Sequence, residues 1–170
     1  MLLLTGAGGK TGRAVLAALQ RALPGEMGIR LFLRREERLP AGVEGFVGDM
    51  TRATDWEEAM AGVKRIYHIC PNMHLDEIGI GRLALAAARQ AGVGHFVYHS
   101  VLHPQTEKMP HHWRKLRVEE LLLESGLPFT ILQPAAYMQN IAAGWERIKP
   151  ALFTGRVRFS KRRWALVRFG

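Results

Sequence analysis

The alternation of short apolar runs with helix-forming stretches predicts an α/β fold, a doubly wound parallel sheet of about six strands. Three observations carry that expectation. Six runs rich in Leu, Ile, Val, Phe and Tyr alternate with helical stretches along 170 residues, as βαβ units require. The first run passes directly into a glycine-rich turn and then a helix. The composition, 48% hydrophobic and 23% charged, is that of an ordinary globular chain of single-domain length.

Leu2 to Leu4 reads as the first strand, Thr5-Gly6-Ala7-Gly8-Gly9-Lys10-Thr11-Gly12 as the turn, and Gly12 to Leu23 as the helix, stopped by Pro24-Gly25. Glycine has no Cβ, so such a turn lets backbone approach a phosphate closely. The unpaired N–H groups of the helix's first turn, including those of Lys10 and Thr11, then point at the anion. The spacing Gly6-x-x-Gly9-x-x-Gly12 departs from strict G-x-G-x-x-G because Thr11 stands where glycine would be. A tight βα connection is the plain alternative. The NTPase phosphate loop is excluded, since Lys10-Thr11 comes too early after Gly6.

Ile29 to Leu33 is the second strand, ending in Arg34-Arg35. At this position an acidic residue bonds the ribose 2′-hydroxyl of NAD, whereas arginine accommodates the 2′-phosphate of NADP. Arg34 therefore puts NADP(H) ahead of NAD(H), against the alternative that it is one member of the solvated run Arg34 to Arg38. Val43 to Val47 is the third strand. It leads to Gly48-Asp49, where Asp49 is either an acceptor for an adenine amino group or a turn aspartate. A helix follows over Asp55 to Met60 with Thr54 as its N-cap.

Arg65 to Cys70 is the fourth strand, closed by Pro71-Asn72, and Asp76 to Ala91 is an alanine-rich helix ended by Gly92. His95 to His99 is the fifth strand, followed by Ser100, which either faces a ligand or begins a loop. His111 to Glu124 is amphipathic, with Leu116, Val118, Leu121 and Leu122 as its buried stripe. Pro128 to Leu132 is the sixth strand. Pro71 and Ser100 complete the set expected to line a cofactor at the strand ends.

The formal charge is +9, but eight of the 24 basic residues lie from Arg147 onward, with no acid among them. The first 146 residues carry sixteen basic and fifteen acidic groups. The basicity thus belongs to the tail, which argues against a uniformly basic nucleic-acid-binding surface and leaves a basic tail that touches polyanions as the weaker alternative. Cys70 is the single cysteine, so no internal disulfide forms, and it reads as a small buried hydrophobe. No apolar run approaches a membrane span, and Met1 to Leu4 lacks the features of a leader, so a cytoplasmic protein is expected. His68, Cys70 and His74 match no zinc spacing, and no metal site is expected.

Taken together, the turn Thr5 to Gly12, the arginine after strand two, Gly48-Asp49, and the stretches His111 to Glu120 and Ser125 to Pro134 resemble the NmrA-like family of atypical short-chain dehydrogenase/reductases, over about residues 1–148. The resemblance implies a Rossmann fold that binds NADP(H). It implies either an NADPH-dependent reductase of small carbonyl or quinone-like substrates, or a sensor that binds the dinucleotide and acts through a partner protein. Gly6, Gly9 and Gly12 match its glycine motif and Arg34 its 2′-phosphate contact. Lys115 matches the lysine near the nicotinamide ribose. His111 stands four residues earlier, where ordinary short-chain dehydrogenases place a catalytic tyrosine, and so becomes the candidate proton donor. Asn140, with Tyr137 nearby, falls where the family's substrate region begins. The departure is the C-terminus: residues 149–170 form a short basic extension where the family continues into a substrate lobe. Val157 and Phe159 alternate with arginines there, as in an edge strand. On this reading a second subunit, as in a homodimer, is one way to complete the pocket.

Overall fold

Leu2–Thr5 forms β1, the fully buried strand at the middle of a six-stranded parallel sheet. The structure is a computed structural model that describes residues 1–22, 25, 27–135, 137, 142, 145 and 146. The chain divides into two units, Met1–Gln133 and Pro134–Gly170. All six strands and four helices described below belong to the first.

After β1 come α1 (Lys10–Ala22), β2 (Ile29–Leu33) and β3 (Val43–Val47), then α2 (Ala53–Ala59) and β4 (Arg65–His68). The unit closes with α3 (Glu77–Gln90), β5 (His95–His99), α4 (Pro110–Leu123) and β6 (Phe129–Leu132). The strand order is β3-β2-β1-β4-β5-β6, parallel at every pairing. The doubly wound sheet expected from the sequence is therefore present.

Strand alternation sends neighbouring side chains into two cores. Leu2 and Leu4 of β1 join Ile29, Leu31 and Leu33 of β2 under Val15 and Leu16 of α1. Leu3, Phe32, Ile66, Phe96 and Tyr98 face the other way, against Trp56 of α2, Ile80 and Ala84 of α3, and Val118 and Leu122 of α4. Cys70 is buried in that second layer, as expected for a small hydrophobe, and burial pushes its thiol pKa up.

Several boundaries differ from expectation for physical reasons. α1 begins at Lys10 rather than Gly12, because Arg13 N–H already bonds Gly9 C=O at 3.0 Å and closes the first turn. Thr54 is not an N-cap. The cap position is Arg52, with extended backbone and no side-chain cap bond, and Thr54 sits inside α2 donating to Asp55 Oδ1 at 3.1 Å. β4 ends at His68, two residues early, since Thr5 diverts Ile69 from the ladder. α3 begins at Glu77 with Asp76 as its cap residue, and α4 takes Pro110 into its first turn, where a missing N–H costs nothing. The buried face of α4 is Val118, Glu119 and Leu122, while Leu116 and Leu121 are only partly covered. Leu23, Pro24, Asn140 and the residues from 147 onward, where an edge strand is expected at Val157 and Phe159, lie outside the described residues.

Candidate functional site

Because β1 pairs with β2 on one side and β4 on the other, the chain reverses its winding direction at β1, and the carboxyl ends of β1 and β4 open a crevice. The β1–β4 ladder runs through Leu4 and Tyr67. Beyond it the Thr5 hydroxyl substitutes for the backbone, accepting from Ile69 N–H at 2.8 Å and donating to Ile69 C=O at 3.0 Å. Its one proton spent, it accepts from His68 Nδ1 at 2.9 Å, which assigns the Nδ1–H tautomer. His68 is wholly buried between Trp56, Phe96 and Tyr98, and Nε2 has no partner among the described residues. Burial first, and then the Lys115 charge, holds its pKa down to about 3, so it stays neutral.

This clasp fixes the floor of the glycine turn. Gly6 has φ +67°, and a Cβ there would lie 2.7 Å from Ile69 O. A Cβ on Gly12, inside the first turn of α1, would strike the backbone of Gly6 and Ala7, so the helix packs onto the turn only because the residue is glycine. Gly9 differs: its added Cβ would meet only Gly6 O, at 3.4 Å. Between these glycines the backbone is open to a ligand, and the N–H groups of Lys10, Thr11 and Gly12 begin α1.

Arg34, just past β2, lines an open cleft of about 590 Å3 together with Val47, Gly48, Asp49, Thr51, Arg52, Asp55 and His74. Asp49 serves the turn here. Its N–H donates to Asp55 Oδ2 at 2.8 Å, and its Oδ1 accepts from Thr51 N–H at 2.9 Å and Thr51 Oγ1 at 2.8 Å. The Thr51 bonds lower its pKa. Pro71 follows β4 and accepts from His74 N–H at 3.2 Å, shaping the loop beside the crevice.

At the end of β5 the chemistry is buried. Lys115 Nζ donates to Glu77 Oε1 at 2.6 Å and to His99 C=O at 3.3 Å, and it lies 5.5 Å from the centre of the Tyr98 ring. Tyr98 Oη donates to the same Glu77 oxygen at 3.1 Å, and burial raises its pKa. Ser100 Oγ donates to Glu119, which also accepts from Gln133 Nε2 at 2.9 and 3.0 Å. The Ser100 hydroxyl is thus engaged beneath α4 and not turned outward. His111, one turn before Lys115, packs edge-on to His112 at 4.5 Å. Partial burial, then the charges of His112 and Lys115, lowers its pKa below the ordinary histidine value. Tyr137 lies in the second unit.

Thr5, Glu77 and Glu119 are buried parts of this arrangement that sequence reasoning missed. The one signal available was spacing, since Glu119 follows Lys115 by four residues and so shares its helix face.

Residues 6–161 match the profile of a family described as NAD(P)H-binding. The chain belongs to that NAD(P)H-binding family. It is 29% identical to an NAD(P)H azoreductase of Xenophilus azovorans over 143 residues, 83% of this chain and 50% of that protein. It is 34% identical to a (4-alkanoyl-5-oxo-2,5-dihydrofuran-3-yl)methyl phosphate reductase of Streptomyces griseus over 148 residues, 82% of this chain and 49% of the other. The fold matches the NADPH complex of the quinone oxidoreductase QOR2 of Escherichia coli with a TM-score of 0.75 and 26% identity, covering 91% of this chain and 55% of that one. The chain spans about half the length of the curated relatives it matches. The strand order puts the glycine turn at the switch point of the sheet. Among the described residues, no three His, Cys, Asp or Glu side chains converge on a metal position, and no helix is long and apolar enough to cross a membrane.

Proposed function

We propose that this protein binds NADP(H) in preference to NAD(H) and reduces small carbonyl or quinone-like acceptors, as a cytoplasmic member of the NmrA-like branch. The observation that carries this reading is the glycine turn at the switch point, with its open backbone at Gly9, at the same end of the sheet as the cleft that Arg34 lines. When bound, the cofactor supplies the hydride. The chain's own residues do the rest. The N–H groups at the start of α1 hold the pyrophosphate, and Arg34 meets the 2′-phosphate with a planar, permanently charged fork. Lys115 holds ribose hydroxyls through an N–H not used by Glu77 or His99. His111, half-buried in the first turn of α4, delivers a proton to the acceptor oxygen. Partial burial, then the charges of His112 and Lys115, lowers its pKa, so turnover limited by this proton rises toward acid at lower pH than an ordinary histidine would give.

The relatives named above are reductases or an oxidoreductase, so the sensor alternative is not favoured. Following NADPH oxidation at 340 nm across quinones and aldehydes tests the proposal. Turnover of at least one acceptor, lost in Lys115→Ala, supports it. NADPH binding with no oxidation across the panel overturns the reductase assignment.

A further inference from the structure

We infer that Glu77 is the positioning residue for Lys115, holding its ammonium at the carboxyl end of β5 with one N–H free to meet the ribose. The inference rests on the proposed role of Lys115 in NADP(H) binding. Glu77 opens α3, yet its side chain is only 1% exposed, a position a glutamate occupies at high desolvation cost unless something holds it there. Two groups do, and both converge on Oε1: Lys115 Nζ at 2.6 Å and Tyr98 Oη at 3.1 Å.

The consequence for Lys115 is geometric. A lysine side chain has four rotatable bonds and is ordinarily free at its tip. Here Glu77 pulls from α3, His99 C=O accepts from β5 at 3.3 Å, and the Tyr98 ring lies alongside. Three groups from two elements, α3 and β5, therefore define one ammonium position. Two of its three N–H donors are taken by described groups, and its side chain keeps 14% exposure, enough for the third to meet a ligand. A buried ion pair is weak evidence for added stability, because desolvation offsets the attraction; fixing a unique geometry is the better-attested use of such a pair. Ligand binding then loses little side-chain entropy at this contact, since the lysine is already ordered.

A double-mutant cycle on NADPH affinity, read by quenching of intrinsic tryptophan fluorescence, tests this. Lys115→Met is expected to weaken NADPH binding by about tenfold, the size of one charge-assisted hydrogen bond. Glu77→Gln is expected to weaken it by a similar factor. The double variant is expected to match Lys115→Met alone, because Glu77 acts only through the ammonium. It also removes both charges together and leaves no buried carboxylate unpaired, so it folds even where Lys115→Met is poorly stable. A second readout needs no cofactor. In the apo protein, acetylation by N-hydroxysuccinimide acetate should be about tenfold slower at Lys115 than at the exposed Lys64 and Lys108, a difference consistent with one strong hydrogen bond, and Glu77→Gln should largely abolish it. If Lys115→Met weakens NADPH binding while Glu77→Gln leaves both affinity and labelling unchanged, the positioning role is overturned and the proposed function stands. A multiplicative loss of about a hundredfold in the double variant likewise overturns it, since independent sites add in free energy. A wild-type chain that binds no NADPH overturns the proposed function itself.

Discussion

One methyl group added to each loop glycine meets three different surroundings. At Gly12 it strikes backbone, and at Gly6 it combines a left-handed φ with a contact to Ile69 O. Gly12→Ala should therefore destabilise the fold by about 1–3 kcal/mol in urea unfolding, with loss of binding as a by-product. Gly9→Ala should cost less than about 1 kcal/mol, since the added carbon reaches only ordinary contact, yet raise the NADPH Kd at least tenfold by occupying pyrophosphate space. The two buried histidines make a different prediction. His68 and His99 have folded pKa values of about 3 and about 4, against 6.5 for the free group, so between pH 6.5 and about 4 the unfolded chain binds protons that the folded chain refuses. Stability must then fall as pH falls through that window, by up to two protons' worth of slope. Thermal melts from pH 7 to 4 should show the fall, and His68→Phe should remove about one proton of that slope.

At the scale of elements, the strand pattern was legible because alternation of apolar residues is dictated by burial on two sheet faces. β2, β3 and β5 fall where the apolar runs place them. The helix starts were less legible. Thr54 has the chemistry of a cap, but the chain entering α2 places Arg52 at the cap position, and Asp55 is already occupied by Asp49 N–H. The buried carboxylates of Glu77 and Glu119 were illegible for a related reason. A glutamate on a helix reads as solvent-facing, and only tertiary partners from β5, α4 and Gln133 make its burial tolerable. The missing cap gives a direct test. Arg52 already has extended backbone, and its ion pair with Asp55 is long, at 3.6 Å, with the arginine side chain 67% exposed. Arg52→Ser should supply a side-chain cap while losing little, raising unfolding free energy by about 0.5–1 kcal/mol.

Across the molecule, the proposed site draws on parts far apart in sequence: a turn after β1, an arginine after β2, and a lysine on α4 held from α3. The glycine spacing, the arginine and the lysine were each visible in the sequence, and the parallel order β3-β2-β1-β4-β5-β6 explains why they share one end of the sheet. What the sequence could not display was the clasp of the Thr5 hydroxyl on the Ile69 backbone and the anchoring of Lys115 on Glu77, both made between residues more than 30 positions apart. The proposed function turns on the selection of NADP(H) by Arg34 at this end of the sheet. Titrating intrinsic tryptophan fluorescence with NADPH and NADH, for the wild type and for Arg34→Glu, tests it most directly. The wild type should bind NADPH at least tenfold more tightly than NADH, and Arg34→Glu should erase or reverse that preference, as loss of a charge-assisted contact to phosphate requires. Equal affinity for the two cofactors in the wild type, or a preference unchanged by Arg34→Glu, would contradict it.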